Sequence, residues 1–245
     1  MSMSLPLVPR RLARRLAAWR HGPRTLPAGH KLRALEACLA FSVANNMVGD
    51  YLEFGVFEGA SFIHAHQFYK QQFERYRAGQ AGTDAEFLRA RKRFVAFDSF
   101  AGLPDHDEEH APLHWRGQGI MRCEETRFRA NLKRSGVDLS DVVTVPGYFD
   151  QSLTEETRRA HGLERAAVVN VDCDLHSSTV QVLDFLGPLL VDGTTLYFDD
   201  YFYYKGHPAR GERGAFEDWL SRNPQWAATE LCKMPPAAAF ILHQV

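Results

Sequence analysis

Three carboxylates follow two predicted strands, at the points where those strands end. The mostly apolar run Val168–Val171 leads directly into Asp172, and a second such run leads into Asp199 and Asp200. If the two strands are adjacent in a parallel sheet, the three carboxylates meet at one edge, where they repel each other unless a cation binds between them. Oxygen ligands alone favour Mg²⁺ or a similar hard ion over zinc. The pattern therefore predicts a magnesium site, and the alternative is a turn, where Asp is also common.

Strand-like and helix-like segments alternate along most of the chain, and these segments must position the carboxylates. Strands are predicted at Tyr51–Phe54, Arg93–Asp98, Asp141–Gly147, Ala166–Asp172, Gly193–Asp200, Trp226–Leu231 and Ala238–Val245. Helices are predicted at Lys31–Met47, Ser61–Arg77, Glu124–Ser135, Thr179–Leu190 and Gly211–Arg222. The alternation indicates βαβ units, and the last two strands, joined through Pro235 and Pro236, indicate an antiparallel hairpin. The expected fold class is α/β, a Rossmann-like, doubly wound, mostly parallel sheet of seven strands.

Ligands of such sheets bind at the carboxyl ends of the strands, so the ends of the first two strands are also candidates. Gly55 and Gly59 open the helix after the first strand and would let the backbone approach a ligand closely. Phe57 replaces the middle glycine of a GxGxxG loop, so a tight βα turn is the alternative. Asp98, at the end of the second strand, can accept hydrogen bonds from ribose hydroxyls, or else Asp98 or Ser99 caps a helix.

The histidines offer a competing metal site. The segment from His106 to His110 reads HDEEH and fits the HxxEH zinc pattern, which requires a helix. Pro104 and Pro112 flank this polar segment, and their presence disfavours a helix and therefore zinc.

The composition is that of an ordinary globular protein, with 45% hydrophobic and 24% charged residues. A net charge of −1 gives no general attraction to nucleic acid or to anionic membranes. The four cysteines occur singly, which is typical of a reducing compartment, so a cytoplasmic location is expected. No apolar run reaches the length of a membrane span, so stable membrane insertion is not expected.

The beginning of the sequence is basic. Arg10–Arg20 is rich in arginine and has helix-forming residues, and the first acidic residue is Glu36. Such a segment can be a transit peptide, a membrane-surface helix, or a helix that packs on the domain or on a partner subunit. We expect a helical segment at 1–48, serving as a cap or an oligomer contact, and a catalytic domain at 49–245.

The chain resembles the macrocin O-methyltransferase family in five blocks, which occur in order: EFGVFEGASF, AFDSFAGLP, VPGYFDQSL, VDCDLHSSTVQVLDFLGPLLVDGTTLYFDDY and RGERGAFEDW. This family methylates macrolide and aminocoumarin sugars. The resemblance implies the class I S-adenosylmethionine-dependent methyltransferase fold, with S-adenosylmethionine and Mg²⁺ as cofactors. The implied activity is methylation of a hydroxyl of a small-molecule acceptor, a sugar or a glycosylated natural product.

The resemblance also implies a role for each matching residue. The residues expected to contact S-adenosylmethionine are Glu53, Gly55, Val56, Gly59, Ser61, Asp98, Ser99, Gly147, Phe149 and Asp172. The residues expected to bind Mg²⁺ are Asp172, Asp199 and Asp200. Asp172 is the first candidate for the general base, and His106, His110 and His114 are the alternatives.

Two departures from the family bear on the acceptor. His176 and Ser177 stand where the family usually has Tyr-Glu, and the loop Ser99–Gly119 differs from the family pattern. The expected partners are a small-molecule acceptor and a second copy of the chain, bound through the N-terminal helices.

Three other functions remain open from the sequence. Asp172-Cys173-Asp174 matches the DxD motif of metal-dependent glycosyltransferases, although this motif is short and common. A non-catalytic module that binds S-adenosylmethionine is the second. Nucleic-acid methylation is the third, and the neutral composition and the lack of an NPPY-like motif argue against it and against a nucleic-acid partner.

Overall fold

The computed structural model describes residues 29–79, 84–106 and 111–245. The strands are β1 (Asp50–Phe54), β2 (Phe94–Asp98), β3 (Val142–Pro146), β4 (Ala166–Val171), β5 (Leu190–Phe198), β6 (Trp226–Met234) and β7 (Ala237–Gln244). The helices are α1 (Gly29–Ala44), α2 (Ala60–Gly79), α3 (Ala85–Arg89), α4 (Glu125–Arg134), α5 (Phe149–Ser152), α6 (Glu155–Ala160), α7 (His176–Leu186) and α8 (Gly211–Arg222).

The strands form one sheet in the order β3-β2-β1-β4-β5-β7-β6. The first five strands run parallel to one another, whereas β7 is antiparallel to both β5 and β6. The predicted fold class is confirmed, including the antiparallel hairpin at the end of the chain. The chain moves outward from β1 to β3 and then returns to β4, so the order reverses between β1 and β4, where doubly wound sheets bind ligands.

Both faces of the sheet are covered, which explains why its central strands are apolar. Every residue of β4 is buried, as expected for a parallel strand between two helical layers. On one face, residues of α1 and α2 such as Leu35 and Phe62 pack against Tyr51 and Phe94 of the sheet. On the other face, α7 and α8 cover a second apolar cluster of the sheet. These two layers fix the strand ends that carry the polar residues.

Helix α1 is part of this core. Ala34, Leu35, Cys38 and Leu39 are fully buried in the same cluster as α2 and the sheet. In the described part of the chain, residues before and after position 48 therefore share one core. The domain boundary at residue 48 stays a prediction. The basic segment Arg10–Arg20 lies outside the described residues.

The predicted helix Thr179–Leu190 is wrong at its end. Helix α7 stops at Leu186, a 3₁₀ turn covers Gly187–Leu189, and Leu190 already belongs to β5. The cause is Pro188, which lacks the backbone N–H that a continuing α-helix needs. The short helices α3, α5 and α6 were not predicted, because four to six residues are too few to show a helical period.

All four cysteines are free. Among the described helices, none combines the length and apolar character that a membrane span requires.

Gly55, directly after β1, lies against the backbone of Asp172 at the end of β4. Its φ of +88° lies in the left-handed region, and an added Cβ would stand 1.9 Å from the carbonyl oxygen of Asp172. Hydrogen bonds flank this point, from Gly55 N to Phe97 O and from Asp172 N to Phe54 O, both at 2.9 Å. Only glycine therefore allows the strand ends of β1 and β4 to meet in this way.

Replacing Gly55 by Ala should lower the free energy of unfolding by about 3 kcal/mol, from the clash and the strained φ together. Urea denaturation at 25 °C measures this loss. Gly79→Ala is the control, because nothing lies within 4 Å of an added Cβ at the end of α2. A Gly55→Ala protein as stable as the control would contradict the account of this strand contact.

Candidate active site

A cavity of about 700 Å³ opens at the carboxyl ends of the parallel strands. The predicted site residues that line it are Gly55, Val56, Ser61, Asp98, Ser99, Phe149, Asp172, Asp199 and Asp200. The other predicted residues, Glu53, Gly59 and Gly147, do not line it. The topology thus brings most of the predicted residues from five strand ends to one space.

Asp98 ties the end of β2 to the turn after β1. One carboxylate oxygen accepts hydrogen bonds from the backbone N–H groups of Val56 and Phe57 at 2.8 and 3.1 Å. The other oxygen accepts from Phe100 N at 2.7 Å. Burial raises the pKa of Asp98, and these three backbone donors oppose that rise. Asp98 therefore holds the turn in place while facing the cavity.

Glu53 supports the same turn from below. It is fully buried, and its carboxylate accepts a hydrogen bond from Ser61 Oγ at 2.6 Å and another from the Tyr51 hydroxyl. Burial raises the pKa of Glu53 to about 7, although the Ser61 and Tyr51 donors oppose the rise. Ser61 lines the cavity and Glu53 does not, so Glu53 acts on the site through Ser61.

The cavity is also lined by a carboxylate cluster, which we define as Asp172, Asp174, Asp199 and Asp200. Asp172, Asp174 and Asp200 each present an oxygen, and these oxygens lie within 4.8 Å of one another. Asp174 joins them because its backbone is left-handed, with φ of 64°, and folds the chain back after Asp172. The predicted metal set of Asp172, Asp199 and Asp200 does not include Asp174, because a left-handed backbone at one residue leaves no signal in the hydrophobic pattern.

Asp199 has different partners within the cluster. One of its oxygens accepts from the Tyr197 hydroxyl, and the other contacts the ammonium of Lys31. The same ammonium lies 2.9 Å from Asp200 Oδ1. Burial lowers the pKa of Lys31, but the Asp199, Asp200 and Asp172 charges outweigh this effect and raise it above 10.5. Lys31 was missed from the sequence, where only its place in a predicted helix was visible.

The cluster carries more negative charge than Lys31 can balance. Burial and the charges of Asp199 and Asp200 raise the pKa of Asp172 well above 3.8. Beneath the cluster, buried Glu212 accepts a hydrogen bond from Asp200 N at 2.9 Å, and burial raises its pKa as well. Several oxygens crowded into a buried, electron-rich space form the donor set that a hard divalent cation prefers. The cluster thus fits such an ion.

Comparison with known proteins identifies the family. The model of the Macrocin-O-methyltransferase (TylF) family matches residues 14–210. The chain belongs to this family. One curated relative, from Streptomyces olivaceus, is named 8-demethyl-8-(2,3-dimethoxy-alpha-L-rhamnosyl)-tetracenomycin-C 4'-O-methyltransferase and is 31% identical over 189 residues. That match covers 75% of this chain and 64% of the relative, so the chain spans less than two thirds of the relative's length.

Solved structures share the fold of this macrocin O-methyltransferase family member. The O-methyltransferase NovP superposes with a TM-score of 0.66 at 20% identity, covering 88% of this chain and 80% of NovP. An O-methyltransferase from Bacillus cereus, solved in complex with S-adenosylhomocysteine, superposes with a TM-score of 0.54 at 17% identity, covering 96% and 91% of the two chains. At these identities the likeness extends to the fold alone.

An aromatic wall, formed by His114, Trp115 and Tyr203, completes the cavity of this family member. The Trp115 and Tyr203 rings lie 4.9 Å apart, and the His114 ring lies 6.2 Å from Tyr203. Tyr201 packs into the core instead, and Tyr204 packs behind Trp115. The wall gives the cavity a flat apolar surface beside the carboxylate cluster, since the Lys31 ammonium lies 5.8 Å from the centre of the Tyr203 ring.

The predicted histidine candidates separate in the structure. His114 lines the cavity, whereas His106 lies behind it with Nε2 3.0 Å from the carbonyl oxygen of Trp115. His110 and the other residues of the HxxEH pattern after His106 lie outside the described residues. At the other departure from the family pattern, Ser177 in the first turn of α7 lines the cavity.

Glu53 should make stability depend on pH. The folded protein holds the Glu53 proton up to about pH 7, whereas an ordinary glutamate loses it near 4.5. Its contribution is therefore complete below pH 4.5 and is lost as the pH rises to about 7. At 1.36 kcal/mol per pKa unit, the loss is about 3 kcal/mol.

Because the side chain at position 53 cannot titrate in the Glu53→Gln variant, the variant should not show the loss of about 3 kcal/mol in free energy of unfolding that the wild type shows between pH 4.5 and 8. Urea denaturation of both proteins at the two pH values measures this difference. Glu230→Gln, on an exposed position of β6, is the control. If Glu53→Gln and Glu230→Gln follow the wild-type pH dependence equally, the buried carboxylate does not titrate as described.

Proposed function

We propose that the protein is an S-adenosylmethionine-dependent O-methyltransferase that methylates a sugar hydroxyl of a glycosylated small molecule, with Mg²⁺ bound at the carboxylate cluster. One observation carries the proposal. A single cavity is bordered on one side by the turn after β1 and Asp98, and on the other by the carboxylate cluster. A methyl donor and a cation-bound acceptor could therefore meet in it. The rhamnosyl group in the name of the Streptomyces olivaceus relative supports a sugar acceptor.

The donor side would be formed by the residues that the family resemblance predicts. Gly55 and Val56 bring the backbone to the edge of the cavity, and Asp98 offers the lone pairs of its carboxylate to ribose hydroxyls. Ser99 and Phe149 line the neighbouring surface. Glu53 would contribute by fixing Ser61 and the turn. The Bacillus cereus protein of the same fold was solved with S-adenosylhomocysteine, which supports this donor.

Asp172, Asp199 and Asp200 would hold Mg²⁺, and Asp174 lies close enough to serve as a further oxygen ligand. When bound, S-adenosylmethionine supplies an electrophilic methyl group, and Mg²⁺ lowers the pKa of a hydroxyl that it contacts.

Asp172 is the residue we propose as general base. Asp172 would take the proton of the acceptor hydroxyl as that oxygen receives the methyl group, and the electron pair of the broken carbon–sulfur bond would stay on the sulfur of S-adenosylhomocysteine. Asp172 lines the cavity together with Asp199 and Asp200, so its carboxylate can reach a hydroxyl bound at the metal site. His114 is the alternative base, because it lines the same cavity.

The aromatic wall would hold the acceptor. The Trp115 and Tyr203 rings present flat apolar surface on which a sugar ring can pack, and they exclude water from the reacting hydroxyl. We also propose that the segment before residue 48 forms a contact between copies of the chain in a homo-oligomer.

A DxD-type glycosyltransferase is the second candidate. The observation in its favour is that Asp174 joins Asp172 and Asp200 in one cluster. A UDP-sugar is therefore included in the binding experiment.

S-adenosylhomocysteine at a hundredfold excess over its dissociation constant should raise the melting temperature by about 5–10 °C. This is because a ligand that binds only the folded protein stabilises it. Differential scanning fluorimetry with S-adenosylhomocysteine and with a UDP-sugar, each with and without Mg²⁺, measures the shift. If the melting temperature rises with the UDP-sugar plus Mg²⁺ and does not rise with S-adenosylhomocysteine, the methyltransferase proposal is wrong and the glycosyltransferase is favoured.

Asp172→Asn should reduce methyl transfer at least about 100-fold, because the amide cannot accept the proton. The reaction is followed by mass spectrometry with rhamnosylated acceptors. Asp184→Asn is the control, since Asp184 is exposed and pairs with Arg222 on the surface. The Asp172→Asn protein should still show the thermal shift with S-adenosylhomocysteine. Undiminished methyl transfer by Asp172→Asn would rule out Asp172 as the base.

A further inference from the structure

Lys31 lines the cavity, and the proposed mechanism gives it no role. Its ammonium lies 2.9 Å from Asp200 Oδ1 and contacts Asp199, two residues that the proposed function assigns to Mg²⁺. The Lys31 side chain is only 14% exposed, so the contact is shielded from solvent. Such a contact differs from a surface ion pair, which water and salt weaken.

The lysine is tethered at this position by α1. Lys31 belongs to the first turn of the helix, and Leu35, Cys38 and Leu39 anchor the following turns in the core. The ammonium also lies 5.8 Å from the centre of the Tyr203 ring, in the aromatic wall. The ammonium is therefore present at the cluster at a high local concentration, as a covalently attached ligand would be.

Lys31 occupies oxygens that a metal would need. Both oxygens of Asp199 are engaged, one by the Tyr197 hydroxyl and one by Lys31, and Asp200 Oδ1 accepts from Lys31. Mg²⁺ binds carboxylate oxygens at about 2.0–2.1 Å in strict octahedral geometry. An ammonium in hydrogen-bond contact with the same oxygens blocks these positions, and the two positive charges repel each other.

We propose that Lys31 is a built-in competitor of the divalent metal, which neutralises Asp199 and Asp200 in the metal-free protein and must leave them when the metal binds. This inference rests on the proposed function, because it concerns the metal of that site. It makes Lys31 a determinant of metal affinity.

Lys31→Met tests the competition directly, since methionine keeps the length of the side chain and removes its charge. Isothermal titration calorimetry with MgCl₂ should show about tenfold or greater tightening of the dissociation constant relative to the wild type. Lys70→Met is the matched control, because Lys70 forms a 2.9 Å ion pair with Asp141, away from the cavity. Lys70→Met should bind Mg²⁺ as the wild type does. Lys31→Arg, which keeps the charge, should show no tightening.

Equal or weaker Mg²⁺ binding by Lys31→Met, at an unchanged response to S-adenosylhomocysteine, would overturn the inference and leave the proposed function standing. No Mg²⁺ binding by any variant would overturn both the inference and the metal part of the function. If S-adenosylhomocysteine also gave no thermal shift, S-adenosylmethionine would be ruled out as the methyl donor, and the proposed function would fail. Lys31→Gln, neutral and polar, serves as the second variant if Lys31→Met does not fold.

Discussion

The contact between Lys31 and the carboxylates at the ends of β4 and β5 is the interaction on which the site depends. The parallel pairing of β4 with β5 brings Asp172 beside Asp199 and Asp200, and burial makes their shared negative charge costly. A cation is needed to keep them together, and in this structure it comes from α1. The strand order of the sheet and the position of α1 therefore together determine which charges face the cavity.

The surrounding structure supports this arrangement from two directions. Gly55 lets the ends of β1 and β4 come into contact, so that the donor side and the carboxylate cluster border the same cavity. Glu212 holds the backbone of Asp200 from beneath. The backbone donors on Asp98 fix the opposite border. Most of the polar residues thus act by fixing strand ends, where rigid elements position reactive groups best.

The sequence predicts the sheet and the strand ends well, because hydrophobic runs and the alternation of elements are local signals. The adjacency of Asp172 and Asp199 was a condition of the predicted metal site, and the pairing of β4 with β5 confirms it. Lys31 could not be predicted, since it meets Asp199 across a separation of 168 residues and only docking of α1 brings it there. Asp174 was placed outside the metal set because a left-handed backbone at one residue leaves no trace in a hydrophobic pattern. Among the aromatic residues Tyr201–Tyr204, only packing shows that Tyr203 faces the cavity.

The central claim is that the carboxylate cluster is a cation site that Lys31 shares with a divalent metal. A crystal structure of the protein with S-adenosylhomocysteine and Mn²⁺, a metal with a measurable anomalous signal, tests it most directly. The account predicts an anomalous peak in contact with Asp172 and Asp200, with the Lys31 ammonium displaced from Asp200. S-adenosylhomocysteine bound in the cavity, with no anomalous peak at the cluster and Lys31 still in place, would contradict it.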